Sequence, residues 1–392
     1  MRLSRAAAAM AAMLAAGAVA AAAPPQSKAV VTLLTASGPE QVALFEHADK
    51  TGVAAAVIHR GGHVLPLPRA ARQIDPRFQI DGKTYDVAAY MKAWRVSGVM
   101  AVKDGKVILE RYGLGRAADD RWISFSVAKS VTSTLIGAAI KDGYIKSLDD
   151  PVTRYIPQLA GSAYDVVSIR DLITMTSGVK WNEDYRDPNS DVARVGLTQL
   201  EPGVNPVVAY MRRLPRAFPP GAHFAYDTGE TDLAGILVSD AVGKPMAQYL
   251  SEKIWAPFGM AADAFWLEDI AGHERGGCCI YMRLSDYARF GLFMLGGGKA
   301  GGRPVLPEAW IADATAAHVA HADGPVGYGY FWWIYPDHFE AEGVFGQAIA
   351  VFPKEQLVVV INSAWPHADD ETDWAAQYSF LEAVAAASRA GR

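Results

Sequence analysis

The chain has 392 residues, 51% of them hydrophobic and 20% charged, with a formal net charge of -5. That balance is expected of a soluble globular protein, long enough for two domains or for one large core with an inserted subdomain. The charge and the lack of Lys/Arg clusters exclude a phosphate-tracking nucleic-acid surface. The two cysteines, Cys278 and Cys279, are adjacent, which gives no disulfide framework and no zinc-ligand spacing; they are expected as two buried small residues.

In chain order, residues 1–23 read as an export signal. Arg2 and Arg5 precede an apolar, alanine-rich run from Ala6 to Ala20, and Ala21-Ala22-Ala23 before Pro24-Pro25 forms a small-residue cleavage site. The run is short and weakly hydrophobic for a membrane span. A periplasmic or secreted protein without stable membrane association is expected. Residues 24–85, with Gly61-Gly62 and several prolines, read as an irregular leader that wraps the main body. Val96 to Val102 predicts a strand, Lys103-Asp104-Gly105-Lys106 a turn and Val107 to Tyr112 the return strand, because Asp-Gly between apolar runs favours a hairpin. Ser124 to Ile140 predicts a helix ending near Asp142-Gly143.

Ile169 to Met175 predicts a short helix stopping at Thr176-Ser177-Gly178, and residues 180–222 are loop-rich. Further helices are predicted over Thr231–Val242, Met246–Ile254 and Leu284–Leu295, the last closed by Gly296-Gly297-Gly298. Strands are predicted over Gly329–Tyr335, Val344–Phe352 and Gln356–Asn362, and a closing helix over Trp374–Ala387. Strands near both ends and helices between them predict an α/β part from residues 86–145 and 270–392, with a mostly helical subdomain over 146–269.

Three stretches carry chemistry. Ser126 and Lys129 lie three apart in the predicted helix, on one face, which sets a hydroxyl beside an amine able to take its proton. Tyr226, in Tyr226-Asp227-Thr228, lies at a loop-to-helix junction; beside a lysine ammonium its phenol would ionise more readily and offer a second base. Ala341-Glu342-Gly343-Val344 enters a strand, where Gly343 would let a substrate approach the backbone. An edge strand there would offer the Val344 N–H to an oxyanion, with the Ser126 N–H at its helix N-terminus as second donor. Tyr330, Trp332 and Trp333 are candidates for an acyl pocket. Strand alternation turns only one of the two tryptophans toward it. Asp184, Asp187 and Asp191 would suit a substrate ammonium or a solvated acidic loop.

In this order, over roughly residues 95–385, the motifs resemble the class C β-lactamase-like serine hydrolases, a group with DD-peptidases, esterases and 6-aminohexanoate-dimer hydrolases. Ser126-Val127-Ala128-Lys129-Ser130 fits the S-x-x-K motif. Leu172 to Gly178 fits the L-L-x-H-T-S-G pattern, with Met175 for the histidine. Pro220-Gly221-x-x-Phe224-x-Tyr226 fits the approach to the tyrosine, and Gly343-x-Phe345-Gly346 with Ala350-x-Phe352-Pro353 fits the last strand pair. The resemblance implies a β-lactamase/transpeptidase-like α/β fold, an antiparallel sheet flanked by helices plus the helical subdomain.

Two departures stand out. The family's Y-x-N is Tyr226-Asp227-Thr228, and its K-T-G is Ala341-Glu342-Gly343. An anionic β-lactam would lose a counter-charge at Ala341 and meet Glu342, so the resemblance points toward the dimer hydrolases and related esterases. Tyr185 resembles the tyrosine with which those hydrolases contact the substrate amide. The expected function is hydrolysis of a small-molecule ester or linear amide through an acyl-enzyme on Ser126. Lys129 and Tyr226 share the proton load, with the initial base left open, and no metal or organic cofactor is required. The alternatives are a β-lactamase or DD-peptidase and, outside catalysis, a β-lactam-type sensor. An α/β-hydrolase is disfavoured by the lack of G-x-S-x-G.

Overall fold

The computed structural model describes residues 32–198, 201–320 and 327–390; the export-signal reading of residues 1–23 lies outside them. At its centre is an antiparallel sheet of eight strands. They are β1 (Val96–Lys103), β2 (Lys106–Tyr112), β3 (Val319–Ala320), β4 (Gly327–Tyr328), β5 (Trp333–Ile334), β6 (Phe339–Gly343), β7 (Gln347–Phe352) and β8 (Leu357–Ser363), in the order β3-β4-β5-β6-β7-β8-β1-β2. The β1–β2 hairpin forms as the sequence predicts. Asp104 (φ 48°) and Gly105 (φ 74°) both take the left-handed conformation, as a two-residue hairpin loop of matching twist requires.

Side-chain alternation gives this sheet two apolar faces. Met100, Val102, Ile349, Val351, Val358 and Val360 join the core with helices α1 (Val127–Lys141) and α4 (Leu284–Leu295). Their neighbours Val99, Ala101, Ala348, Ala350, Val359 and Ile361 face the closing helix α5 (Glu371–Arg389). Two further helices complete the core beside α1: the short α2 (Ile169–Ile173), closed by a Ser168/Asp171 capping box, and α3 (Thr228–Val242).

The strand predicted over Val344–Phe352 begins only at Gln347, and β6 before it is an additional strand. Phe345 (φ 67°) and Gly346 (φ 83°) turn the chain between them, with Gly343 paired to Gln347. Of the strand predicted over Gly329–Tyr335 only β5 forms; Phe331 (φ 59°) interrupts the chain between it and β4, which precedes the predicted range. A four-stranded second sheet joins Ala55–Ile58, Ala264–Leu267, Ile280–Arg283 and Arg121–Ile123. It therefore draws its strands from the leader, the mostly helical stretch and the α/β part. Among the described residues no helix is long and apolar enough to cross a membrane.

Candidate active site

Ser126 is the N-cap residue of α1 and is 8% exposed. Phe125 before it has φ 43°, a conformation that bulky side chains adopt only when their surroundings hold them there. Here Phe45 and Phe345 do so, with ring centroids 4.9 and 5.0 Å from that of Phe125. One turn on, Lys129 is 1% exposed. Its Nζ donates to Ser126 Oγ at 3.3 Å, Thr228 Oγ1 at 2.9 Å and the Gly277 carbonyl at 3.0 Å. Burial pushes the amine down to about 8, while Glu183 and Asp232 hold it from falling further. The predicted Ser/Lys pairing is therefore present, with the lysine close enough to neutrality to accept a proton.

Tyr226 comes from the start of α3. Lys129 Nζ sits over its ring, 5.2 Å from the centroid, and the ring stacks on Trp333 at 5.8 Å. Its hydroxyl is close enough to Ser126 for the serine to ease its ionisation. The expectation of an easily ionised phenol is reversed: Tyr226 is raised well above the ordinary tyrosine value. Burial is the main cause; it outweighs the Ser126 contact, and Glu183 and Glu342 add to it. The lysine lies against the ring face, where it does not stabilise a phenolate. Tyr226 is thus a proton donor at neutral pH.

Glu183 is the residue that sequence reasoning missed. Thr228 donates to its carboxylate from Oγ1 and also from the backbone N–H (3.1 Å), Trp181 Nε1 donates to it, and Tyr185 Oη donates at 2.7 Å. Thr228 Oγ1 therefore accepts from Lys129 and donates to Glu183, so a hydroxyl serves as acceptor and donor where the family pattern has an amide. The available signal was spacing. Trp181, Glu183 and Tyr185 are i, i+2 and i+4, and along residues 181–188 partly buried positions alternate with exposed ones, as in an extended segment packed on one side.

An apolar cleft with about 610 Å³ of empty space, open to solvent, begins at Ser126; Tyr185, Thr228, Arg275 and Val344 also line it. Tyr185 and Val344 thus line the same cleft as the nucleophile. Gly343 is beside it for a different reason than substrate access. A Cβ on Gly343 would lie 2.5 Å from the Ser124 carbonyl oxygen and 3.1 Å from the Ser126 nitrogen, so the missing side chain lets β6 dock against the nucleophile's own backbone. Nor is β6 an edge strand. It lies between β5 and β7, but β5 pairs only with Phe339 and Glu340, so Ala341 to Gly343 have no strand partner on that side.

Trp332 is a correction: it is fully buried, packed between Phe290 and Phe339, and belongs to the core rather than to the cleft. The break at Phe331 sets the phase of β5 so that Trp333, not Trp332, meets Tyr226. Tyr330 is likewise buried, its hydroxyl accepting from Arg170 at 2.7 Å. Asp184 and Asp187 accept the N–H of Arg186 and Asn189 in local turns, and Asp191 accepts from the Asn182 N–H and the Tyr210 hydroxyl. Cys278 and Cys279 both line the cleft, with Cys279 buried.

Glu342 is buried beside the site. It accepts from the Tyr335 hydroxyl at 2.7 Å, and burial, reinforced by Glu340, raises it well above the carboxylate range, which favours the neutral acid. Among the described residues no group of three or more His, Cys, Asp or Glu side chains is arranged to hold a metal ion.

The beta-lactamase family model matches residues 86–382. The chain belongs to that family. Among curated relatives, the 6-aminohexanoate-dimer hydrolase of Paenarthrobacter ureafaciens is 28% identical over 335 residues, covering 79% of this chain and 85% of the relative. A beta-lactamase of Pseudomonas fluorescens is 26% identical over 173 residues, 41% of this chain and 43% of its own. Among solved structures, one described as "Putative 6-aminohexanoate-dimer hydrolase from Bacillus anthracis" superposes with a TM-score of 0.78 at 22% identity, over 91% of this chain and 95% of the other. A family VIII carboxylesterase has a TM-score of 0.58 at 15% identity, over 76% of this chain and 95% of its own. The β-lactamase/transpeptidase-like fold expected from the sequence is the fold observed, and the protein is a serine hydrolase of the beta-lactamase family.

Proposed function

We propose that the protein hydrolyses carboxylic esters or linear amides through an acyl-enzyme on Ser126, in the manner of the 6-aminohexanoate-dimer hydrolases and related esterases. The observation that carries the reading is the Lys129 amine, held at about 8 and within 3.3 Å of Ser126 Oγ. A neutral Lys129 accepts the Ser126 proton as Oγ attacks the carbonyl carbon. Tyr226, protonated and in contact with Ser126, delivers a proton to the leaving oxygen or nitrogen. The Ser126 N–H, at the positive end of α1, and the N–H of Val344 receive the oxyanion. Lys129 passes the proton it accepted to Tyr226, which resets both groups; water then attacks the acyl carbon as Lys129 takes its proton, and Lys129 returns that proton to Ser126 Oγ as the acid leaves. Gly343, by seating β6 against the nucleophile, positions Val344, and Tyr185 faces the bound acyl group.

The apolar lining of the cleft suits a substrate with an alkyl chain, and the absence of a cation at Ala341 disfavours β-lactams. The dimer-hydrolase relative, matched over most of both chains, supports the same direction. The test is a panel of p-nitrophenyl esters, linear 6-aminohexanoate amides and nitrocefin. Turnover of the esters or amides with little nitrocefin hydrolysis is expected; fast nitrocefin turnover would instead make this a β-lactamase. An exported location is proposed from Arg2, Arg5 and the alanine-rich run, and is checked by N-terminal sequencing of the protein from a periplasmic extract: a retained Met1 would contradict it.

A further inference from the structure

The family match begins at residue 86, yet one wall of the cleft comes from before it. Leu33, Leu34 and Val53 line the cleft that begins at Ser126. Leu33 and Leu34 lie in a helical turn; Leu33 and Val53 are buried and Leu34 is half-buried. From the family-matched part, Val192, Leu267 and Val344 extend the apolar lining.

This wall is fixed to the rest of the molecule. Val53 leads into the strand Ala55–Ile58, which pairs with Ala264–Leu267 and sets Ala55 opposite Leu267. In the helix Gly38–Glu46, the Leu44 carbonyl accepts from the Tyr281 hydroxyl at 2.7 Å, and Gln41 Nε2 donates to the Trp365 carbonyl at 2.9 Å. Phe45 of that helix has its ring centroid 4.9 Å from Phe125 and 5.2 Å from Phe345. Leu33, Val53, Leu267 and Phe125 share one buried apolar cluster.

The proton donor indicates which part of a substrate this wall meets. Tyr226 stacks on Trp333, and neither residue belongs to the lining of the cleft. The leaving group therefore lies on the Tyr226 side, and the cleft is left for the acyl chain. Among the described residues, Arg275 is the one charged residue of the lining, and its guanidinium pairs with Asp232 at 3.0 Å. A hydrocarbon chain suits such a surface: each methylene moved onto it from water favours binding by about threefold to fourfold.

We propose that Leu33, Leu34 and Val53 form the acyl-chain wall of the site, so that residues outside the family-matched region select substrates with a neutral hydrocarbon acyl group. This rests on the acyl-transfer reading above and names its substrate class.

The test compares kcat/KM for p-nitrophenyl acetate, butyrate and hexanoate, which share one leaving group, on the whole enzyme. If only amides are turned over, the matching p-nitroanilides take their place. The wild type should gain about threefold per added methylene. Leu34→Asp, at a half-buried position, should cut the hexanoate-to-acetate ratio by about tenfold, the worth of two methylenes. Leu34→Trp, which fills the space, should cut it as well. A misfolded fraction or a displaced nucleophile lowers both esters alike and leaves the ratio unmoved, so the ratio reads the wall. The alcohol series of ethyl, butyl and hexyl acetate should keep its ratios in Leu34→Asp. A flat acyl series in the wild type, an acyl ratio unmoved in both Leu34 variants, or a change confined to the alcohol series would overturn the proposal. Turnover of p-nitrophenyl acetate with a flat acyl series sinks this inference only; no turnover of any ester or amide sinks the reading beneath it.

Discussion

Two glutamates stand near the reacting groups, the partly buried Glu183 and the buried Glu342, and they keep different company. Glu183 reaches Lys129 through the Thr228 hydroxyl, and its charge helps keep the buried amine as high as about 8. Glu342, on β6, faces Glu340 and the Tyr335 hydroxyl. Among the described residues no Lys or Arg hydrogen-bonds to it, and it is pushed toward the neutral acid. On Glu342 burial and the neighbouring Glu340 act in the same direction, whereas Glu183 meets a hydroxyl that itself meets the Lys129 amine. The lesson bears on the family pattern. A glutamate beside the position of the K-T-G lysine reads as a like charge in the sequence, but in the fold it is a hydrogen-bonding partner within the wall behind β6.

Substitutions can break this contrast, beginning with the groups at its centre. Ser126→Ala should abolish ester turnover, by roughly 10⁴-fold or more, with the fold intact by circular dichroism. Lys129→Met should cost roughly 10²–10⁴ in kcat, as loss of a general base does. Gly343→Ala sets a methyl 2.5 Å from the Ser124 carbonyl oxygen, so the nucleophile's backbone must shift; about 100-fold in kcat/KM is expected for a displacement near 1 Å.

Glu183→Gln sharpens the comparison. In the wild type, activity should rise with pH through about 8 as Lys129 loses its proton. Removing an anion that favours the ammonium moves that limb to lower pH, while the amide can still meet Thr228. An unmoved limb would mean that Glu183 only holds the loop. Glu342→Gln should do least, leaving both the rate and the pH limb close to wild type, because burial and Glu340 already push the acid it replaces toward the neutral form. A large effect there would show that Glu342 is charged.

Much of this was legible in the sequence wherever local chemistry decides. Asp104-Gly105 specifies the hairpin, and Leu284 to Leu295 runs as a helix over the predicted range. Ser126, Lys129 and Tyr226 converge because their motifs sit at a helix start and at a loop-to-helix junction. What escaped depends on tertiary contacts. β6 was hidden because two buried glutamates interrupt its apolar pattern. The choice between Trp332 and Trp333 hangs on one left-handed residue, Phe331. Glu183 acts through Thr228, more than forty positions away, with no motif of its own.

The central claim is that Ser126 is the nucleophile, and covalent labelling tests it most directly. After reaction with a fluorophosphonate probe, digestion and mass spectrometry should place the adduct on the peptide containing Ser126, with labelling and esterase activity lost together and absent in Ser126→Ala. An adduct on any other residue, or full activity in Ser126→Ala, would contradict it.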